Sequence, residues 1–141
     1  MKKICLVFTA CLVILSACKK DEDCNWNSAF LNGKTFKLTK SESVISGVTT
    51  NIPLTDPCDN NLISYTATTF TTKLASGCTD PEPNGTYTVT TEGGKKYFNV
   101  VVGGSSFKTL VSTSDCSKYV VSLSDTVSGV VMTFNQTYTK Q

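Results

Sequence analysis

The segment from Val130 to Lys140 reads VVMTFNQTYTK. Val130, Met132, Phe134, Gln136 and Tyr138 fall on one side of an extended chain. Val131, Thr133, Asn135, Thr137 and Thr139 fall on the other. Successive strand side chains point to opposite faces, so one face is mostly apolar and the other mostly hydroxyl or amide. That is the pattern of a half-buried antiparallel strand.

The same chemistry recurs along the chain, where threonine and serine alternate with valine, phenylalanine and tyrosine. Branched and aromatic side chains suit a pleated surface, and threonine is the polar member of that set. Strands are expected at 34–40, 62–67, 69–75, 85–91, 95–102, 105–112 and 118–125, with 43–50 a weaker ninth candidate. Glu92-Gly93-Gly94 and Gly103-Gly104 supply the positive-φ residues of tight hairpin turns, and 125–129 is a further turn candidate. Trp26 to Leu31 suits one helical turn closing an end, with Trp26 as a packing residue. No long helical pattern intervenes. The expected fold class is all-β: an antiparallel up-and-down barrel of about eight strands.

The N-terminus reads differently. Met1, Lys2 and Lys3 precede a run from Ile4 to Ile14 that is apolar except for Thr9. This is the layout of a secretory signal, and it is too short to span a bilayer, which takes about 20 residues. The following Leu15-Ser16-Ala17-Cys18 resembles the lipobox of bacterial lipoproteins. That resemblance implies cleavage before Cys18, lipidation (palmitate) of Cys18, and attachment to the outer membrane. The next residues, Lys19-Lys20-Asp21-Glu22-Asp23, suit a solvated tether. Cys-Lys-Lys-Asp-Glu-Asp also resembles the acidic surface-export signal of Bacteroidetes-type lipoproteins, which implies a cell-surface location. The expected organisation is a signal peptide at 1–17, a lipidated tether at 18–31, and one barrel domain at 32–141.

Composition narrows the chemistry. Cleavage would remove two of the thirteen lysines and leave eleven against eleven carboxylates. No basic patch points to nucleic acid. Arginine is absent, and with it any bidentate phosphate clamp. Histidine is absent too, removing the commonest general base and metal ligand. No cofactor is indicated and no catalytic signature is present, so an enzyme is not expected.

Of seven cysteines, Cys5 and Cys11 lie in the expected signal and Cys18 takes lipid, leaving Cys24, Cys58, Cys78 and Cys116. Four cysteines in an exported chain imply disulfides, with three possible connectivities. Zinc fits poorly, because there is no Cys-x-x-Cys pair. Cys58 and Cys78 lie in two proline-bearing loops, 51–61 and 76–84, that flank a hairpin. Pairing them would tie those loops together, with Cys24 then bonded to Cys116.

Further residues carry a family resemblance. Asn32-Gly33-Lys34-Thr35-Phe36-Lys37-Leu38-Thr39 opens the first strand, and Pro57-Cys58-Asp59-Asn60 precedes the strand at 62–67. Cys78 follows the next strand, Gly85-Thr86-Tyr87 starts another, and Tyr138-Thr139-Lys140 closes the chain. Placed after a lipobox, this order resembles the lipocalin-like domain of many Bacteroidetes lipoproteins. The resemblance implies an eight-stranded barrel and, loosely, binding of a small apolar or amphipathic ligand. Phe36 stands near the position where the lipocalin signature carries tryptophan.

The inward aromatics Phe36, Tyr65, Phe70, Tyr87, Phe98, Phe107, Phe134 and Tyr138 can line a pocket or fill a core. The ligand candidates among them are Phe36, Tyr65, Tyr87, Phe98, Phe134 and Tyr138. The tyrosines stand out because a buried hydroxyl needs a partner. A Cys58–Cys78 bond would also gather Asp56, Asp59, Asp80 and Glu82, a weak candidate calcium site, since calcium takes six to eight oxygens. Asp125-Thr126-Val127 resembles a bacterial O-glycosylation motif at Thr126. Two readings follow: a lipid-anchored binder of a small apolar ligand, or a surface interaction lipoprotein with a filled barrel acting through its loops. Oligomeric state is not legible.

Overall fold

The computed structural model describes residues 26–79 and 83–141. It has one short helix, α1 (Ser28–Leu31), a 3-10 turn (Pro57–Asn60) and nine strands: β1 (Thr35–Ile45), β2 (Val48–Ile52), β3 (Leu62–Tyr65), β4 (Thr69–Lys73), β5 (Gly85–Glu92), β6 (Lys95–Val102), β7 (Ser105–Asp115), β8 (Lys118–Val127) and β9 (Val130–Lys140). All pairings are antiparallel. Eight strands close into a barrel in the order β1-β3-β4-β5-β6-β7-β8-β9, and β9 returns to β1. The expected all-β barrel is the observed fold.

The ninth strand is an annex. One edge of β1 is divided: Thr35–Lys37 pair with β3, and Ser41–Ile45 pair with β2. The expected strand over 43–50 is therefore a hairpin, turning at Ser46-Gly47. Both residues have positive φ, 50° and 81°. That is the two-residue turn whose twist matches its flanking strands. Ser128-Gly129 (52°, 81°), Gly93-Gly94 and Gly103-Gly104 repeat it.

Strand β1 runs past the expected 34–40 because it carries a bulge. Leu38 pairs with Tyr138 and Lys40 with Thr137, leaving Thr39 as the extra residue. Before it, Phe36 and Leu38 share the inward face; after it, Ser41, Ser43 and Ile45 do. A bulge inserts one residue and so shifts the alternation.

The core gathers at one end. Trp26, Leu31, Phe36, Phe98 and Tyr119 are buried there. Trp26 lies 4.8 Å from Tyr119, 5.1 Å from Phe30 and 6.2 Å from Phe98. Asn27 caps α1 by accepting a hydrogen bond from the Phe30 amide at 2.8 Å. This segment forms the floor of the barrel, as expected of Trp26–Leu31. The Trp26 indole N–H has no hydrogen-bond partner among the described residues.

At the other end of the β3–β4 hairpin, Cys58 and Cys78 are bonded. Asn61 reinforces the join by accepting from the Ala75 amide at 2.8 Å. Cys116, in the β7–β8 turn on the floor side, is also disulfide-bonded. Cys18 and Cys24 lie outside the described residues, so the expected Cys24–Cys116 pairing does too. No helix among the described residues is long and apolar enough to cross a membrane.

Candidate functional site

Above the floor the barrel is not filled. A cavity of ≈ 270 Å³ opens away from α1, lined by apolar and aromatic side chains. Alternation puts Tyr119, Val121 and Leu123 of β8 on its wall. The two-residue turn at Ser128-Gly129 sets Tyr119 opposite Tyr138 and Val121 opposite Gln136. Strand β6 adds Phe98 and Val100, and β7 adds Phe107 and Thr109.

Four of the expected ligand residues, Tyr65, Tyr87, Phe98 and Tyr138, line this cavity. Two do not. Phe36 is fully buried beneath it, 5.0 Å from the Tyr119 ring and 6.2 Å from Trp26. It sits one layer too low because it packs on the floor plug. Phe134 keeps the inward register, opposite Leu123. It lies so far up β9 that it is 36 % exposed at the rim. Tyr119 and Gln136 contribute to the site without having been singled out.

The cavity's polar groups are tyrosine hydroxyls, the Thr109 hydroxyl and one amide. The Tyr65 and Tyr119 oxygens are 2.7 Å apart and share one hydrogen bond. Tyr138 donates to Gln136 Oε1 at 3.1 Å, and its ring stacks on Tyr119 at 5.0 Å. Tyr87 is buried, and its hydroxyl donates to the Thr66 carbonyl at 2.7 Å. Burial dominates the ionisation of these phenols. It holds Tyr65 and Tyr119 far above the usual range, pushes Tyr138 up to about 12, and raises Tyr87. Such a site disfavours negative charge, and among the described residues no lysine lines it.

Two of the four acidic-loop residues, Asp56 and Asp59, are among the described residues. Asp56 accepts from the Cys58 amide at 2.8 Å, and Asp59 accepts from the Asp56 amide at 3.0 Å. This reciprocal cap occupies both carboxylates. Asp80 and Glu82 lie outside the described residues. No group of three metal-ligating side chains occurs among the described residues. Thr126 is exposed on β8 beside the Asp125 carboxylate, which accepts from its amide at 2.7 Å.

Comparison with protein-family models, with curated proteins and with solved structures finds no match to this chain.

Proposed function

We propose that this protein is an exported lipoprotein, anchored in the outer membrane through lipidated Cys18 and displayed at the cell surface, whose barrel takes up a small apolar or amphipathic molecule. The observation carrying the binding role is the open cavity, lined almost wholly by apolar and aromatic groups. Ligand sites are typically concave and apolar with a few placed polar groups, and Tyr65, Tyr119, Tyr138 and Gln136 supply those here. A barrel acting only through its loops has no need of such a space. The anchoring role rests on Leu15-Ser16-Ala17-Cys18 and the acidic run after it. No catalytic step is proposed.

Titration with the uncharged fluorescent probe N-phenyl-1-naphthylamine tests the binding role. Saturable binding is expected, and Val121→Phe, which fills the cavity, should abolish it. Absence of saturable binding, or indifference to Val121→Phe, would defeat the reading. For the anchor, Cys18→Ala should release the protein into the soluble exported fraction. Retention in carbonate-washed membranes would refute lipidation.

A further inference from the structure

The inward face of the barrel does not stop at the cavity. Strands β7 and β8 pair only from Leu110 and Ser122 toward the floor. Above that level the upper half of β7 pairs with β6 alone, and Leu123–Val127 pair with β9 alone. The barrel is therefore split at its mouth. On one side of the split stands a four-stranded wall, β2-β1-β9-β8, continuing upward.

The register shows which side chains face inward on that wall. Phe134 pairs with Leu123 and with Ser43, Met132 pairs with Ile45, and Ile45 pairs with Val48. Leu123 lines the cavity, and Gln136, two residues from Phe134, lines it as well. Directly paired residues share a face. Ile45, Val48, Ile52, Leu123, Met132 and Phe134 therefore extend the cavity's apolar lining above its mouth. Val48 is 67 % exposed and Leu123 45 %. A contiguous apolar surface continuous with a cavity marks a binding surface.

Size and polarity narrow the occupant. The cavity of ≈ 270 Å³ has room for roughly nine groups of water size, less than a long-chain molecule needs. Its hydrogen bonds leave donors over. Tyr65 and Tyr119 carry two hydroxyl protons and share one bond. Gln136 accepts from Tyr138, and its own amide N–H groups have no partner among the described residues. Among the described residues no cationic side chain lines the cavity to meet an anion.

Resting on the binding role above, we propose that cavity and wall form one elongated site for an uncharged single-chain molecule. Its leading end carries a carbonyl-type acceptor that meets the Tyr65–Tyr119 pair and Gln136. Its apolar chain lies along the Ile45, Val48 and Phe134 wall.

The test uses methyl ketones of rising length, from heptanone to tridecanone, titrated calorimetrically against the mature chain. Affinity should keep rising beyond about nine carbons, by about twofold per methylene on a wall that covers one side of the chain. Val48→Ser and Phe134→Ser, at exposed positions, should remove that increment for tridecanone and leave heptanone unchanged. The alkane and the fatty-acid anion of equal length should each bind at least about tenfold more weakly, about 1.4 kcal/mol. A plateau at cavity length with silent wall variants overturns the wall. Equal binding of alkane and ketone overturns the acceptor end. A dimer in solution that Val48→Ser dissolves assigns the wall to a second copy and overturns the proposal. Failure of heptanone to bind while N-phenyl-1-naphthylamine still does overturns this proposal alone, whereas failure of both removes the parent reading, so the two failures are distinct.

Discussion

The tyrosine cluster makes the fold sensitive to alkali in a calculable way. In the unfolded chain each phenol ionises near its ordinary value of 10.0, whereas in the barrel burial holds Tyr138 to about 12 and Tyr65 and Tyr119 higher. Below pH 10 both states keep these protons, and stability does not depend on them. Above it the unfolded chain releases protons that the folded one retains, so stability falls as pH rises. Tyr138 alone contributes a loss of roughly 2 kcal/mol by pH 12. With Tyr65 and Tyr119 the slope is about 4 kcal/mol per pH unit. Typical domain stability is roughly 5–15 kcal/mol, so cooperative unfolding is expected between about pH 11 and 13. The assay is rapid alkaline titration, following tyrosinate absorbance and the strand circular dichroism together, before disulfides are attacked. Tyrosinate from the three buried phenols should appear in one step with loss of structure. Tyr138→Phe should flatten the pH dependence by about a third. Ionisation of all five tyrosines near pH 10 with the fold intact would refute the reasoning.

Other perturbations follow from the packing. Replacing Cys58 and Cys78 together by alanine removes a closure spanning 20 residues and should cost about 3 kcal/mol, read by urea unfolding; an unchanged midpoint would count against it. Gly85→Ala would set a Cβ 2.2 Å from the Val101 carbonyl oxygen and 2.9 Å from Phe70. A loss of about 1–3 kcal/mol is expected there, and a wild-type melting temperature would contradict that geometry. Trp26→Ala opens the floor and should cost about 3–5 kcal/mol. Trp26→Phe should cost far less, because the indole N–H has no partner to lose among the described residues; equal losses by denaturant titration would argue against that view. Neutralising Asp21, Glu22 and Asp23 should lower labelling of intact cells without lowering total protein.

Much of the barrel is legible because its signals are local. Alternation in β8 and β9 reports their inward faces without help, and paired glycines mark two of the hairpins. The Cys58–Cys78 bond is legible because both cysteines sit in loops flanking one hairpin. Depth along the barrel axis is not local, which is why Phe36 and Phe134 were expected in the pocket. Alternation says that a side chain points inward, but only the stacking of layers says at what height. Phe36 meets the plug and Phe134 meets the rim. Tyr119 illustrates a missed cue. A two-residue turn at Ser128-Gly129 pairs Val127 with Val130 and, by simple counting, Tyr119 with Tyr138. Placing the turn loosely over 125–129 hides that pairing. The β1–β2 hairpin is hidden for another reason. Its turn places Ser46 at positive φ, where a non-glycine residue is uncommon.

Thr39 has the effect of a spare letter in a two-letter rhythm. Were Thr39 to take an ordinary place in the ladder instead of bulging, Lys40 and Glu42 would follow Phe36 and Leu38 onto the inward face, and their ion pair, now 2.7 Å long on the outside, would be carried into the barrel. Ser41, Ser43 and Ile45 would turn outward with them. The chain thus writes the lower and upper halves of β1 in opposite phase and reconciles them at one threonine. Deleting Thr39 should therefore remove the bulge and keep Phe36, Leu38, Ser41, Ser43 and Ile45 on the inward face, because Leu38 and Ser41 would then stand two residues apart. Retention of cooperative melting in that deletion variant would be the measurable sign. In β1, therefore, the count of residues carries as much structural information as their identity.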